Sequence, residues 1–188
     1  MTRRAFTVMA IGLCCLGLLT LQTGCSGMGA AMHGGKFAMN LMKGGSKLDV
    51  YLDGQEAKQS MLKKGLKGYS PYEVKDPVST APTLRFTMKD PEKFGLITYT
   101  AINIHKEFEG DYSDQALFTI VPKDNTAAAQ MKPDTDYDLG NPPDTLQVRD
   151  VRGNPVPGVK LTPGLKYQLC LTLRADRSET IGVFFEAE

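Results

Sequence analysis

The side chains best placed to do chemistry are three aspartates at alternate positions, Asp134, Asp136 and Asp138. Calcium takes several oxygen ligands, and loop carboxylates two residues apart can converge on one ion, so the spacing suits a calcium site. The remainder of a calcium loop does not follow. Leu139 stands where a glycine would turn the chain, and Thr145 where a glutamate would close the site. Calcium would therefore need other carbonyl ligands, and a plain acidic turn is the competing reading. A second acidic group, Glu107, Glu109, Asp111 and Asp114, falls in an expected hairpin loop. Facing carboxylates can hydrolyse a glycosidic bond, which makes an acid-loop hydrolase, calcium-assisted, the enzymatic alternative. A solvated loop explains the same residues more simply.

Nucleophilic catalysis needs an imidazole beside a serine or cysteine. The chain has only His33, in a glycine-rich stretch, and His105, near an expected strand end. Two distant histidines and few thiols do not make a zinc site. No cofactor is expected beyond the calcium just weighed. Cys170 alternates with Leu169 and Leu171 and reads as a small half-buried apolar residue rather than a nucleophile. Tyr69 and Tyr72, either side of Pro71, form a candidate contact patch or close the edge of the core. Basic residues are not clustered with aromatics, so nucleic acid is not an expected partner.

The N-terminus carries an address. Arg3 and Arg4 precede an uncharged apolar run of 14 residues, Val8 to Leu21, which ends in small residues at Gly24-Cys25-Ser26. A basic start, a short apolar run and a small-residue cleavage site make an export signal, and the run is too short to span a bilayer comfortably. The junction resembles the lipobox of bacterial lipoproteins. That resemblance implies cleavage after residue 24, acylation of Cys25 and anchoring to a membrane, with Ser26 favouring the outer membrane over the inner. Thr2 to Phe6 also resembles the start of a twin-arginine signal but departs at Thr7-Val8, so general secretion is the preferred route. Of 22 basic and 21 acidic residues only Arg3 and Arg4 fall in the signal, which leaves 20 against 21 and a net charge of −1. Such balance does not suit an anionic surface as an electrostatic partner.

Residues 25–46 are rich in glycine and read as a flexible tether, with a reach of roughly 25 Å for about 20 residues. Beyond them the apolar pattern alternates. Leu48, Val50 and Leu52 mark a strand that Asp53-Gly54 ends; Gln55 to Lys64 then reads either as a short helix or as the return of a hairpin. Residues 47–80 could thus be an accessory hairpin or helix. Further strands are expected from Thr83 to Met88, Leu96 to Ile104, Ala116 to Val121, Thr145 to Val151, around Val156 to Lys160, up to Leu173, and from Thr180 to Glu186. Proline and glycine clusters separate them, the pattern of an all-β sandwich or barrel.

Two stretches narrow the fold. Leu161 to Leu169, LTPGLKYQL, resembles the fibronectin type III stretch whose tyrosine forms a corner with upstream backbone. Asp150 to Gly158, DVRGNPVPG, is similar to a hairpin of bacterial immunoglobulin-like surface domains. These resemblances imply an all-β, immunoglobulin/fibronectin III-like antiparallel β-sandwich over residues 47–188, with at most one short helix. Taken together the expectation is a signal peptide (1–24), a lipidated tether (25–46) and a non-enzymatic sandwich that binds or supports another envelope protein or a glycan. A soluble periplasmic binding protein is the remaining alternative.

Overall fold

The computed structural model describes residues 47–60, 72–108 and 111–188. All belong to the second of two units, Met1–Met39 and Asn40–Glu188. Cys25, the tether, Tyr69 and Glu109 lie outside the described residues. The strands are β1 (Leu48–Leu52), β2 (Gln55–Glu56), β3 (Lys58–Gln59), β4 (Tyr72–Glu73), β5 (Thr83–Met88), β6 (Tyr99–Phe108), β7 (Asp111–Tyr112), β8 (Phe118–Pro122), β9 (Tyr137–Asp138), β10 (Leu146–Asp150), β11 (Pro155–Val156), β12 (Lys166–Arg174) and β13 (Ser178–Glu186). Helix among the described residues is confined to one 3-10 turn, Pro91–Lys93.

Strand pairing makes an all-β sandwich. The first sheet runs β2-β1-β5-β9 and the second β11-β10-β8-β6-β12-β13-β4-β3, with β7 beside β6. Pairing is antiparallel except where β4 joins β13. Over β1, β5 and β9 in one layer, and β8, β6, β12 and β13 in the other, the order is that of immunoglobulin-type sandwiches. The β10–β11 hairpin extends the second layer beyond it. Alternation explains the core: Leu48, Val50, Leu52, Leu84 and Phe86 point inward from the first sheet and meet Ile102, Ile104, Leu169, Leu171, Ile181 and Val183 from the second. All eleven are fully buried. Each contributes roughly 1.5–3 kcal/mol by leaving water.

The tyrosine corner expected at Tyr167 is present. Its ring is 2% exposed, and its hydroxyl accepts from the Thr162 N–H at 2.9 Å and lies 3.3 Å from the Thr162 carbonyl, to which it donates. The ring stacks on Phe185, its cross-strand neighbour, with centroids 5.8 Å apart. A second corner has the same form. Tyr137 accepts from the Lys132 N–H at 2.6 Å and donates to the Lys132 carbonyl at 3.5 Å, again five residues back. In each loop a proline (Pro133, Pro163) precedes a residue of positive φ, Asp134 at 58° and Gly164 at 74°. In each, that residue's N–H reaches a carbonyl elsewhere in the sandwich: Asp134 to Phe86 at 2.8 Å, Gly164 to Ala187 at 2.7 Å. Each is followed, two residues past the tyrosine, by a fully buried leucine, Leu139 or Leu169.

Several local expectations are corrected. Gln55–Glu56 and Lys58–Gln59 are strand rather than the start of a helix, because Asp53 and Gly54 both adopt positive φ, 48° and 77°, and fold β2 back on β1 as a hairpin; residues 61–64 lie outside the described part. Nor is this region accessory: β1 lies between β2 and β5 and points three leucine and valine side chains into the core. The strand expected from Leu96 begins at Tyr99 and runs to Phe108, so Glu107 lies within a strand instead of a loop. Val156 to Lys160 is strand only at its first residue, since the chain leaves the sheet there to run beside residues 139–140, where Val159 donates to the Leu139 carbonyl. The approach is so close that a Cβ on Gly158 would collide with the Gly140 carbonyl.

Removing either corner hydroxyl, by Tyr137→Phe or Tyr167→Phe, strands a backbone N–H and is expected to cost about 1–2 kcal/mol in denaturant unfolding. Unchanged midpoints in both variants would contradict the role assigned to the corners.

Candidate functional site

The solvent side of the first sheet forms an open concavity of about 590 Å³. Alternation along β1 and β5 places its residues: with Val50, Leu52, Leu84 and Phe86 turned inward, Tyr51, Thr83, Arg85 and Thr87 must face out. Tyr51 and Arg85 are direct cross-strand partners, and Glu56 flanks Tyr51 on the other side. Asp136, from the loop of the Tyr137 corner, completes the wall. An aromatic face, a guanidinium, two threonine hydroxyls and the carboxylates of Asp53 and Asp136 thus share one surface.

The floor is rigid for a specific reason. Asp53 ends β1 with its carboxylate divided between two backbone donors, the Ser79 N–H and the Thr83 N–H, both at 2.7 Å. Its own N–H bonds the Thr83 carbonyl. This carboxylate ties the β1–β2 turn to the segment entering β5. At the other end of the same face Lys89 bonds Asp49 at 2.9 Å, and that hydrogen bond holds its ammonium above the ordinary lysine range. Both groups are solvated, so the pair contributes little to stability.

The three alternating aspartates are brought near this surface, each with a different task. Asp134 occupies the positive-φ position of the corner loop, and its carboxylate lies 3.7 Å from the Arg85 guanidinium. Asp136 faces the concavity. Asp138 turns its Oδ1 onto the Gly140 and Asn141 N–H groups at 2.9 and 3.2 Å. The three alternating positions therefore fall on a tyrosine corner that runs into β9. Among the described residues no group of three or more His, Cys, Asp or Glu side chains could hold a metal ion.

Other candidate residues have structural surroundings. Tyr72 is half-buried in β4 and packs against the core. His105 is part-buried, its Nδ1 2.9 Å from the Ser113 carbonyl. Cys170 sits on the outer side of β12, and burial pushes its thiol up to about 12, far from the thiolate a nucleophile needs. Asp150 organises the β10–β11 hairpin: its carboxylate accepts from the Asn154 and Arg152 N–H groups at 2.8 and 2.9 Å, which holds it below the usual carboxylate range. Neither Tyr51 nor Arg85 is conspicuous in the sequence. The usable signal was the alternation of residues 48–52 and 83–88, which places both on the outward face once the two strands pair in register.

No family model, curated protein or solved structure matches the chain.

Since two of the three aspartates are already engaged, calcium is expected to leave stability unchanged. A site with Kd near 10 µM would add about 2.7 kcal/mol at about 1 mM ion. Thermal unfolding with calcium and then with a chelator reads this directly, and a reversible rise of several degrees would restore the calcium reading.

Proposed function

We propose that the protein is a non-enzymatic envelope lipoprotein, anchored through an acyl group on Cys25, whose sandwich binds an envelope protein or a glycan. The observation that carries the binding half is the concavity on the first sheet. Tyr51 and Arg85 stand side by side on paired strands with Asp136 beside them, and aromatic and arginine side chains on a stiff support are what concentrate binding energy in interfaces. The anchoring half rests on the arrangement of Arg3, Arg4, the apolar run and Gly24-Cys25-Ser26. Ser26 favours the outer membrane.

The mechanism is tethering. A domain on a leash of about 20 residues explores a small volume above the membrane, where its effective concentration toward a neighbouring partner can reach the order of millimolar. Weak contacts in an open concavity then suffice. The bond to lipid is made through a thiol, so loss of that sulfur should release the whole chain.

In cells fed radiolabelled palmitate the protein is expected to carry label, and Cys25→Ser to lose it and move from the membrane to the soluble fraction. Absence of label, with fractionation unchanged by the substitution, would overturn the anchor and leave a soluble periplasmic binding protein. Crosslinking pull-down from intact envelopes tests the partner: Tyr51→Ala and Arg85→Ala should each weaken capture about tenfold or more while the domain stays folded.

A further inference from the structure

A second surface has a chemistry of its own. Met88, Leu96, Ile97, Gln130, Met131 and Lys132 line a groove of about 480 Å³ between the turn after β5 and the loop that leads to the Tyr137 corner. Its lining is almost wholly apolar, and Leu96 on it is 68% exposed. Lys132 is the one charged residue on it. Gln130 is only 5% exposed, yet neither its Oε1 nor its Nε2 has a hydrogen-bond partner.

A buried amide without partners is costly, and such groups in folded proteins call for an explanation. Here the backbone around it is held from both sides. Upstream, Asp124 accepts from the Thr126 N–H at 2.8 Å and Ala129 donates to the Thr126 carbonyl at 3.1 Å. Downstream, the Lys132 N–H is taken by the Tyr137 hydroxyl. Gln130 cannot escape by moving its loop without breaking these contacts. The opposite wall is held too, by Thr98 donating to the Arg174 carbonyl at 2.9 Å and Asp176 to the Phe94 carbonyl at 3.2 Å.

We propose that this groove binds an extended peptide segment of a partner protein, seating an apolar side chain against Leu96 and Ile97 while Gln130 pairs with the adjoining main-chain amide. The inference rests on the binding-module reading and names a ligand for it at a separate surface. A primary amide presents an acceptor beside donors, the complement of a peptide unit's N–H and C=O. Pairing with a ligand requires a change of Gln130 rotamer that leaves the backbone in place. An acyl chain would fill the groove and leave the amide unpaired. A glycan would find no aromatic ring on the lining and a single amide for its many hydroxyls. The lone lysine selects a neutral or acidic segment over a basic one.

The test uses the purified full chain, with Gln130→Leu as the main variant. Removing an unpartnered amide while keeping side-chain volume should raise the unfolding temperature by about 2–6 °C. The same change should abolish selection of apolar, acid-flanked sequences from a phage-displayed random hexapeptide library, which the unaltered chain enriches. A selected peptide should bind Gln130→Leu at least about tenfold more weakly, and replacing its recognised N–H by an ester oxygen should weaken it on the unaltered chain alone. Leu96→Ser should lose the same peptides. The proposal is overturned if no peptide is enriched, if Gln130→Leu selects the same ones, or if decanoate competes equally on both chains. It is also overturned if that variant is destabilised, as when the amide holds an internal water. Peptides lost with Tyr51→Ala but kept with Gln130→Leu would sink this proposal and leave the binding-module reading standing.

Discussion

A phenolic hydroxyl carried into a sandwich edge with its ring must find partners there, and in this protein two such hydroxyls decide how the loops are laid. Tyr137 and Tyr167 each reach back five residues to one backbone unit, accept a hydrogen bond from its N–H and donate one to its carbonyl. Ring burial drives the tyrosine inward, and the need to satisfy the hydroxyl then closes the preceding loop on itself. Because the loop must reverse within those residues, one position takes positive φ. Glycine fills it once and aspartate once. The strands that carry the two tyrosines lie in opposite layers of the sandwich, β9 at the edge of the first sheet and β12 between β6 and β13 in the second.

The consequences reach both surfaces considered for binding. The Tyr137 loop delivers Asp136 to the open face of the first sheet and places Lys132 on the apolar groove. One buried hydroxyl therefore positions residues on two sides of the same loop. The strand residues of the first surface owe nothing to that loop. Tyr51 and Arg85 project from paired strands whose inward neighbours are fully buried, and their spacing is as stiff as the core beneath them. That stiffness suits recognition, since little ordering entropy remains to be lost when a partner arrives.

The acidic residues illustrate how one local pattern can have more than one cause. Three alternating carboxylates invite a cation, yet here one tolerates a left-handed turn, one faces solvent in a concavity and one caps the backbone after β9. Asp and Asn enter positive φ more easily than other residues with a Cβ, and their side chains readily bond nearby N–H groups. Both properties place aspartate in turns for reasons unrelated to metal. The comparable stretch from Leu161 to Leu169 carries glycine, lysine and glutamine at the matching places and makes the same corner.

From the sequence alone one could read the class of fold, most strand positions, and the Tyr167 corner with its Pro-Gly signal, because alternation and turn chemistry act over a few neighbouring residues. The repeat of that signal around Tyr137 was also legible, as the apolar Met131, a proline and then a tyrosine followed by leucine, though aspartate in place of glycine concealed it. Other features depended on which strands become neighbours. That Asp53-Gly54 makes a hairpin instead of leading into a helix was settled by β1 pairing with both β2 and β5. Tyr51 meets Arg85 across 34 positions of chain because β1 and β5 pair in register, and Leu96 shares a groove with Gln130 across a similar gap. Local preferences choose strands and turns, but surfaces are assembled by register and packing between distant segments, and no run of adjacent residues encodes those.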